Sequence, residues 1–479
     1  MNVRTTLALC LSLAATAAAQ DDVRYHVYFG DLHSHTTFSP DARIHFGARH
    51  YEDPGWACVQ ARQNGLDFVA VTDHDFALGA RHWQMAQEQL ERNYQPGRFT
   101  TFIGYEWTSM TSTIAYGDES YTFRNGHGHR CVIFNGSEVP SQVFRCIDPR
   151  YDEPKELWDA LAEWKRLHPG ADVLTIPHSP MSDEYVEHDT ANGTIILHGD
   201  QTVNWDEVDG RFQTLVEIFS KHGSSEGSDG LEKTDPARFE ATLADLESGD
   251  HDRLQSAMRT WYLPVESFGT YAEHSVQTAL NRWLDPAQAN RDAYKLGIIA
   301  STDDHTAKPG SVDEDRTEIS WPCHGGLVAV HAEGNTREQI WEALRARRVY
   351  GTSGAKIVLW FEVVTDRGRG CMGSTLSSGT RPLLLMRARG ENGHRIARFD
   401  VIKNGVLYAQ VTPVGRLGEY RATFVDPTFD ADAYYYVRAV QEDTRTWYRS
   451  DFDLNGAPME KYSLGERAWS SPVWVEKAR

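Results

Sequence analysis

Histidines and carboxylates arrive in five short strings, each set after an apolar, strand-like run: GDLHSHTTFSPDA at 30–42, VTDHD at 71–75, GYEW at 104–107, PHS at 177–179 and STDDH at 301–305. Imidazole and carboxylate are donors that zinc, manganese and iron accept, and side chains at the carboxyl ends of parallel strands converge at one rim of a barrel. The chemistry this pattern points to is metal-assisted. His33 and His35 lie two apart, so at a strand end both face one side and can reach one ion. Asp303 and His305 repeat that spacing, with Asp304 between them facing the other way. Asp31 precedes the first pair, Asp41 follows it in a Ser-Pro-Asp turn, and Asp73 and His74 end the next apolar run. Glu106 closes TTFIGYE, where its two oxygens allow it to bridge two ions, and His178 follows Pro177 at the end of VLTIP. His129 departs from the pattern by standing before the apolar CVIF instead of after it, and His127 in NGHGHR competes for the same role. Singly, an HxH pair or one glutamate among 68 acids is ordinary surface chemistry. Recurrence at successive strand ends is what marks a site.

The elements that must carry these residues alternate along the chain. HVYFG, DFVAVT, FTTFIGY, RCVIF, DVLTI, LVEIF and LGIIAS read as seven strands, several of them apolar on both faces, as in a parallel sheet covered by helices. Helices are predicted at 56–64, 80–93, 153–167 and 270–283, the last opened by a Thr270/Glu273 capping box. The expectation for residues 22–350 is therefore an α/β fold, an irregular (β/α)7 barrel. Its polar insertions at 182–210 and 223–290 are too long for simple connections and suit substrate loops. After about residue 350, KIVLWFEVV, RPLLLMRAR, RFDVIKNGVLYAQV, EYRATFV, AYYYVRAV and SPVWVE alternate with period two between turn residues. That is the pattern of an appended β-sandwich-like domain, or an extension of the sheet, over 355–479, reached through a brief linker near GTSGA at 351–355.

The first twenty residues read as an export signal. Arg4 is the positive region, Leu7 to Ala15 the apolar run, and Ala17-Ala18-Ala19 a small-residue cleavage site, so the mature chain is expected to begin near Gln20 and to be periplasmic or secreted. No later stretch approaches the roughly 18 to 20 apolar residues of a spanning helix. Cys58, Cys131, Cys146, Cys323 and Cys371 lie beyond the leader, and Cys131 with Cys146 is the pairing an oxidising compartment would suggest. A chain of 479 residues has room for one large core and a smaller domain. The net charge of −20 argues against nucleic-acid polymers and anionic membranes as partners, but not against a small phosphate ester, because bound ions dominate the field inside a metal site.

The ordered set DLHSHTTFSPDA, TDH, GYE, GHR, IPHS and TDDH resembles the PHP superfamily, named for its polymerase and histidinol phosphatase members, across about residues 25–350. The export signal, HRCVIF, EIFSKHGSSE, STDDHTAKPG and the appended β-region are similar to an exported bacterial PHP-like subfamily of unknown function. The resemblance implies a (β/α)7 barrel holding two or three divalent ions, zinc or manganese. His33, His35, Glu106 and Asp303 would hold the first. Glu106 would bridge to a second on His129 and His178, and Asp41, His74 and His305 would hold the third. Asp41 stands where some phosphatase members have His, a harder ligand that shifts the third position toward manganese or magnesium. The implied reaction is in-line attack of a metal-bridging hydroxide on a phosphate ester, with Asp303 positioning the hydroxide and His222 donating a proton to the leaving group. Arg130, Lys221 and Lys308 are the candidates for holding non-bridging oxygens.

Two other readings stay open. The same chemistry can cut a sulfate ester, an amide or a lactone, although CIDPR at 146–150 lacks the C-x-P-x-R spacing of cysteine-dependent sulfatases. Alternatively the metal region is a scaffold and the C-terminal β-region binds glycan, with Trp360, Tyr434, Tyr435, Tyr436, Trp447 and Trp474 as stacking faces.

Overall fold

A computed structural model of the chain describes residues 24–44, 48–110, 113–116, 119–178, 185–189, 194–198, 203–221, 223–226, 275–311, 325–416, 418–442, 447–448, 461–462 and 465–478. The leader, His222, Cys323 and the Thr270/Glu273 capping box lie outside the described residues, as do most of the expected insertion at 223–290 and parts of that at 182–210. Each of the seven apolar runs forms a strand: β1 (His26–Asp31), β2 (Phe68–Val71), β3 (Thr100–Trp107), β4 (His129–Phe134), β5 (Val173–His178), β6 (Leu215–Ser220) and β7 (Gly297–Ala300). From β2 onward every residue of these strands is buried, which is why they read as continuous apolar runs.

Helices pack between them. After α1 (Pro40–Ile44), α2 (Pro54–Gln63) starts where Asp53 accepts from the Trp56 N–H and Pro54 opens the first turn. The amphipathic α3 (Ala80–Asn93) and α4 (Pro154–Leu167) bury Trp83 and Leu90, and Leu157, Trp158 and Leu161. α5 (Ser275–Asn281) covers the end of the long expected helix at 270–283. No helix among the described residues is long and apolar enough to cross a membrane.

The pairing departs from an all-parallel barrel. β1, β2 and β3 run parallel, and so do β6 and β7, but β3–β4 and β4–β5 are antiparallel. Between Trp107 and His129 the only described elements are two short strands, Thr113–Tyr116 paired with Glu119–Thr122. With no crossover helix there, β4 returns alongside β3 in the opposite direction. Two further strands, β8 (Leu327–Ala332) and β9 (Val349–Thr352), flank α6 (Arg337–Arg345); β8 pairs antiparallel with β1, and β9 antiparallel with β8. The ladder does not close among the described residues: β6 and β7 belong to a separate three-stranded sheet. Isolated backbone bonds join the seams, from Thr175 N to Phe212 O at 3.0 Å and from Gly326 N to Ser301 O at 2.8 Å.

The C-terminal strands are β10 (Val358–Val364), β11 (Leu383–Arg389), β12 (Ile396–Lys403), β13 (Glu419–Val425), β14 (Ala433–Gln441), β15 (Arg467–Ser470) and β16 (Val473–Lys477). β15 pairs with both β9 and β14, so a single 13-stranded sheet runs from the C-terminal strands through β8 and β1 to β5. Gly351 and Thr352, expected in a linker, are therefore ladder residues. β10, β11 and β13 are the central strands of a second, five-stranded antiparallel sheet, and the two sheets enclose a core of Leu359, Phe361, Met386, Val437 and Val475 that also takes in Phe29 and Tyr350.

Neither the full stacking face nor the Cys131–Cys146 pairing is found among the described residues. Tyr434, Tyr435, Tyr436 and Trp474 are fully buried and offer no stacking face. Trp360 is half-buried beneath the Arg387 guanidinium, 3.7 Å from its ring centroid, and the side chain of Trp447 lies outside the described residues. Cys131 and Cys146 are both free and belong to different core clusters, the Cys146 thiol 2.7 Å from the Thr108 carbonyl oxygen and the Cys131 thiol facing Thr72. A buried glutamate, Glu226, joins the two halves of the chain. Its oxygens accept from the Tyr436 hydroxyl at 2.7 Å and from Arg438 at 2.8 Å, and also from the Trp469 indole.

Candidate metal centre

Two buried aspartates shape the loop that carries the HxH pair. Asp31, the last residue of β1, accepts from the backbone N–H of His33 (3.2 Å), Thr302 (3.1 Å) and Gly310 (2.9 Å), lashing the first string to the fifth. Asp73 accepts from Thr36 N at 2.6 Å and from the Ser39 hydroxyl at 2.8 Å. Ser39 Oγ in turn lies 3.0 Å from His35 Nδ1. Burial pushes the Asp31 carboxyl up to about 6 against the pull of these donors. On the fifth string, Asp303 adopts a left-handed backbone, φ 55°, and its N–H donates to the His33 carbonyl at 2.9 Å while His35 N donates to Asp304 O at 2.7 Å. Such a conformation costs about 1 kcal/mol or more for a residue with a Cβ and is held by the loop around it.

Around these loops the structure gathers His33, His35, Asp41, His74, Glu106, His129, His178, Asp303 and His305, all buried except Asp41, which is partly exposed. Glu106 is central. Its Oε1 lies 2.8 Å from His129 Nδ1 and 2.9 Å from His178 Nε2, and its Oε2 lies 2.7 Å from His74 Nδ1 and 3.4 Å from His35 Nε2. Asp303 Oδ1 is 3.2 Å from Nε2 of both His33 and His35. Asp41 Oδ2 spans His74 Nε2 (2.8 Å) and His305 Nε2 (3.0 Å). Four triples bring their donor atoms within 4.8 Å of one another: His33/His35/Glu106, Glu106/His129/His178, His35/His74/His305 and His33/His178/Asp303. The reversal of β4 explains the misplaced histidine. An antiparallel strand presents its first residue at the rim where its neighbours present their last, and the register sets His129 opposite His178. His127 instead pairs with Glu153 at 3.0 Å.

Charge in the cluster is divided unevenly. Burial pushes the Glu106 and Asp41 carboxyls up, but the imidazoles beside them, His74 foremost, outweigh it and hold both well below the carboxylate range. Burial lowers His74 and His305, yet Asp41 returns His305 to about 9 and, with Glu106, holds His74 well above its ordinary value. Burial, with His305 and His74 as cationic neighbours, drives His35 down to about 3; burial takes His129 to about 4 despite Glu106. His129 Nε2 is buried with no hydrogen-bond partner, an orphaned lone pair in a wall of donors. Six imidazoles and three carboxylates packed this closely, one imidazole nitrogen unsatisfied, fit divalent cations.

The residues assigned to substrate separate. Lys308 is exposed at the edge of the fifth string, its backbone N–H on Asp304 Oδ2 at 2.6 Å. Lys221 is buried and its ammonium lies 2.8 Å from Asp304 Oδ1. His222 lies outside the described residues. Arg130 is a correction: successive side chains of a strand alternate faces, so with His129 in the cluster Arg130 points away from it. Its guanidinium lies between the Trp107 and Trp158 rings, 5.6 and 5.7 Å from their centroids, donates to the His127 carbonyl at 2.8 Å, and is lowered by burial to about 9. Sequence reasoning passed over Glu217. The signal was a lone acid inside the apolar LVEIF, and its buried Oε2 stands 3.2 Å from His33 Nδ1.

An uncharacterized protein of Chlamydia muridarum is 29% identical over 198 residues, which make up 38% of this chain and 27% of the relative. One from Chlamydia pneumoniae is 30% identical over 166 residues, 32% of this chain and 23% of the relative. The chain thus spans about a quarter of the length of these curated relatives. A solved structure from Bacteroides vulgatus, described as a two-domain protein containing a predicted PHP-like metal-dependent phosphoesterase, aligns over 92% of this chain and 96% of its own at 14% identity, with a TM-score of 0.33. A family model described as protein of unknown function (DUF3604) matches residues 77–321, 314–416 and 409–477. With that stretch matched nearly end to end, the chain belongs to the DUF3604 family.

Proposed function

We propose that the chain is a metal-dependent hydrolase of small phosphate esters, exported from the cytoplasm after cleavage near Gln20. The observation that carries the metal reading is the nine-residue cluster with shared donors and the orphaned His129 Nε2. The choice of phosphate ester rests on the ordered motifs that resemble the PHP superfamily. Two or three divalent ions held there, zinc or manganese, would supply Lewis acidity and lower the pKa of water toward neutrality.

The chain's own residues would do the rest. Glu106 offers one oxygen to the His129/His178 side and the other to the His74/His35 side, so it fixes the spacing of the two halves of the centre. Asp303, rigid in its left-handed turn, aims an oxygen at the space between His33 and His35, where it would orient the attacking water. Lys308 is the exposed cation available to a non-bridging phosphoryl oxygen, whereas Lys221 neutralises Asp304 and holds the loop. His222 remains our candidate for protonating the leaving group.

Metal-reconstituted protein should hydrolyse p-nitrophenyl phosphate or bis(p-nitrophenyl) phosphate and lose that activity to chelator. Turnover of sulfate esters, amides or lactones with no action on phosphate esters would overturn the substrate class.

A further inference from the structure

We infer that Glu217 is a positioning residue that fixes the His33 imidazole for metal binding, a role that rests on the metal reading above. Glu217 sits in the middle of β6, flanked by Leu215, Val216, Ile218 and Phe219, all buried. A carboxylate in such a setting is expensive unless something in the fold uses its charge. The group it meets is His33. Glu217 Oε2 lies 3.2 Å from Nδ1, while Nε2 of the same ring lies 3.2 Å from Asp303 Oδ1, 3.4 Å from His35 Nε2 and 3.8 Å from Glu106 Oε1.

The ring therefore has an outer nitrogen against an acceptor and an inner nitrogen aimed at the other donors. A carboxylate can only accept here, so Glu217 takes the Nδ1 proton and leaves Nε2, the nitrogen beside Asp303 and His35, as the one an ion would bind. It also makes the imidazole a stronger donor than a hydroxyl partner would. His35 provides that contrast, because its outer nitrogen meets Ser39 Oγ at 3.0 Å. The two histidines of one HxH pair are thus backed unequally. β6 belongs to the separate three-stranded sheet, so Glu217 also makes that sheet's placement a determinant of the geometry at β1.

The test is Glu217→Gln, which keeps size and removes charge, with Glu217→Asp as the variant that restores it. Co(II) and Zn(II) are titrated into metal-free protein by chelator competition, and the visible spectrum of the Co(II) form is recorded. The expected result is a 10- to 100-fold weaker affinity for one ion in the Gln variant, with a shifted Co(II) spectrum and partial recovery of both in the Asp variant. Wild-type affinity and spectrum in the Gln variant would overturn the role of Glu217, and so would equal losses in the Gln and Asp variants, which would mark a packing effect. Wild-type protein that takes up no metal would instead sink the metal reading itself.

Discussion

At the scale of single residues the centre behaves as a set of shared donors, and its perturbation should be correlated rather than local. Replacing His33 and His35 together with alanine removes imidazoles from three of the four triples, so metal content and hydrolysis should fall together; metal analysis per chain beside the rate checks this, and full loading with full activity would refute the site. Asp303→Asn keeps the turn but removes the charge facing His33 and His35, and should cost about a hundredfold in kcat, a few kcal/mol of transition-state stabilisation, with folding intact. The cluster's protons give a third expectation. In the metal-free centre His305, at about 9, and His33 and His74, both held against burial well above the ordinary value by neighbouring acidic groups, hold protons at pH 7. Ions compete with them, so affinity should fall as pH drops, and loading near neutrality should release on the order of two to three protons per chain, readable as a buffer-dependent heat of binding. A buffer-independent heat would contradict the assignment.

At the scale of elements, strand direction decides which side chains meet. His129 and Arg130 are neighbours in sequence and opposites in role, since β4 turns one into the cluster and the other between Trp107 and Trp158. Arg130→Ala should therefore destabilise by roughly 3 kcal/mol, through a cavity and stranded carbonyls of His127 and Gly128, and leave KM nearly unchanged once the variant is folded and loaded. Urea unfolding beside steady-state kinetics separates the two effects; a large rise in KM would return Arg130 to the substrate. The same alternation shows what sequence could and could not reveal. His33, His35, His74, Glu106, His178, Asp303 and His305 were legible because each closes an apolar run, and apolar runs announce buried strands. Strand direction leaves no such mark in composition, so the reversal of β4 was hidden and Arg130 was assigned to the wrong side. β8, with the buried run LVAVHA, carries an equally strong strand signal but ends in no ligand string, so nothing in the pattern of histidines and carboxylates marks it.

At the scale of the molecule, the C-terminal strands are structural partners of the region that carries the candidate metal centre. Glu226 lies two residues past the end of the short Gly223–Ser224 strand beside β6, and its acceptors are filled by Tyr436, Arg438 and Trp469 from β14 and β15. Glu226→Gln should cost about 3 kcal/mol of stability in equilibrium unfolding, since it breaks a buried charge pair from one side. An unaltered midpoint would show the two regions to be independent. The strand order has a kinetic corollary as well. β1 finds its partner in β8, and Asp31 is bound to Thr302, 271 positions away. Pairings that close loops of that span slow folding, because the closure entropy is lost before the contacts are gained. A ribosome or an export channel delivering the amino-terminal end first would present His33 and His35 long before Asp303 exists to meet them. Capture of an ion by the full set would then come late in the life of the nascent chain, and an ion that met the early histidines too soon would have only half a coordination sphere to hold it.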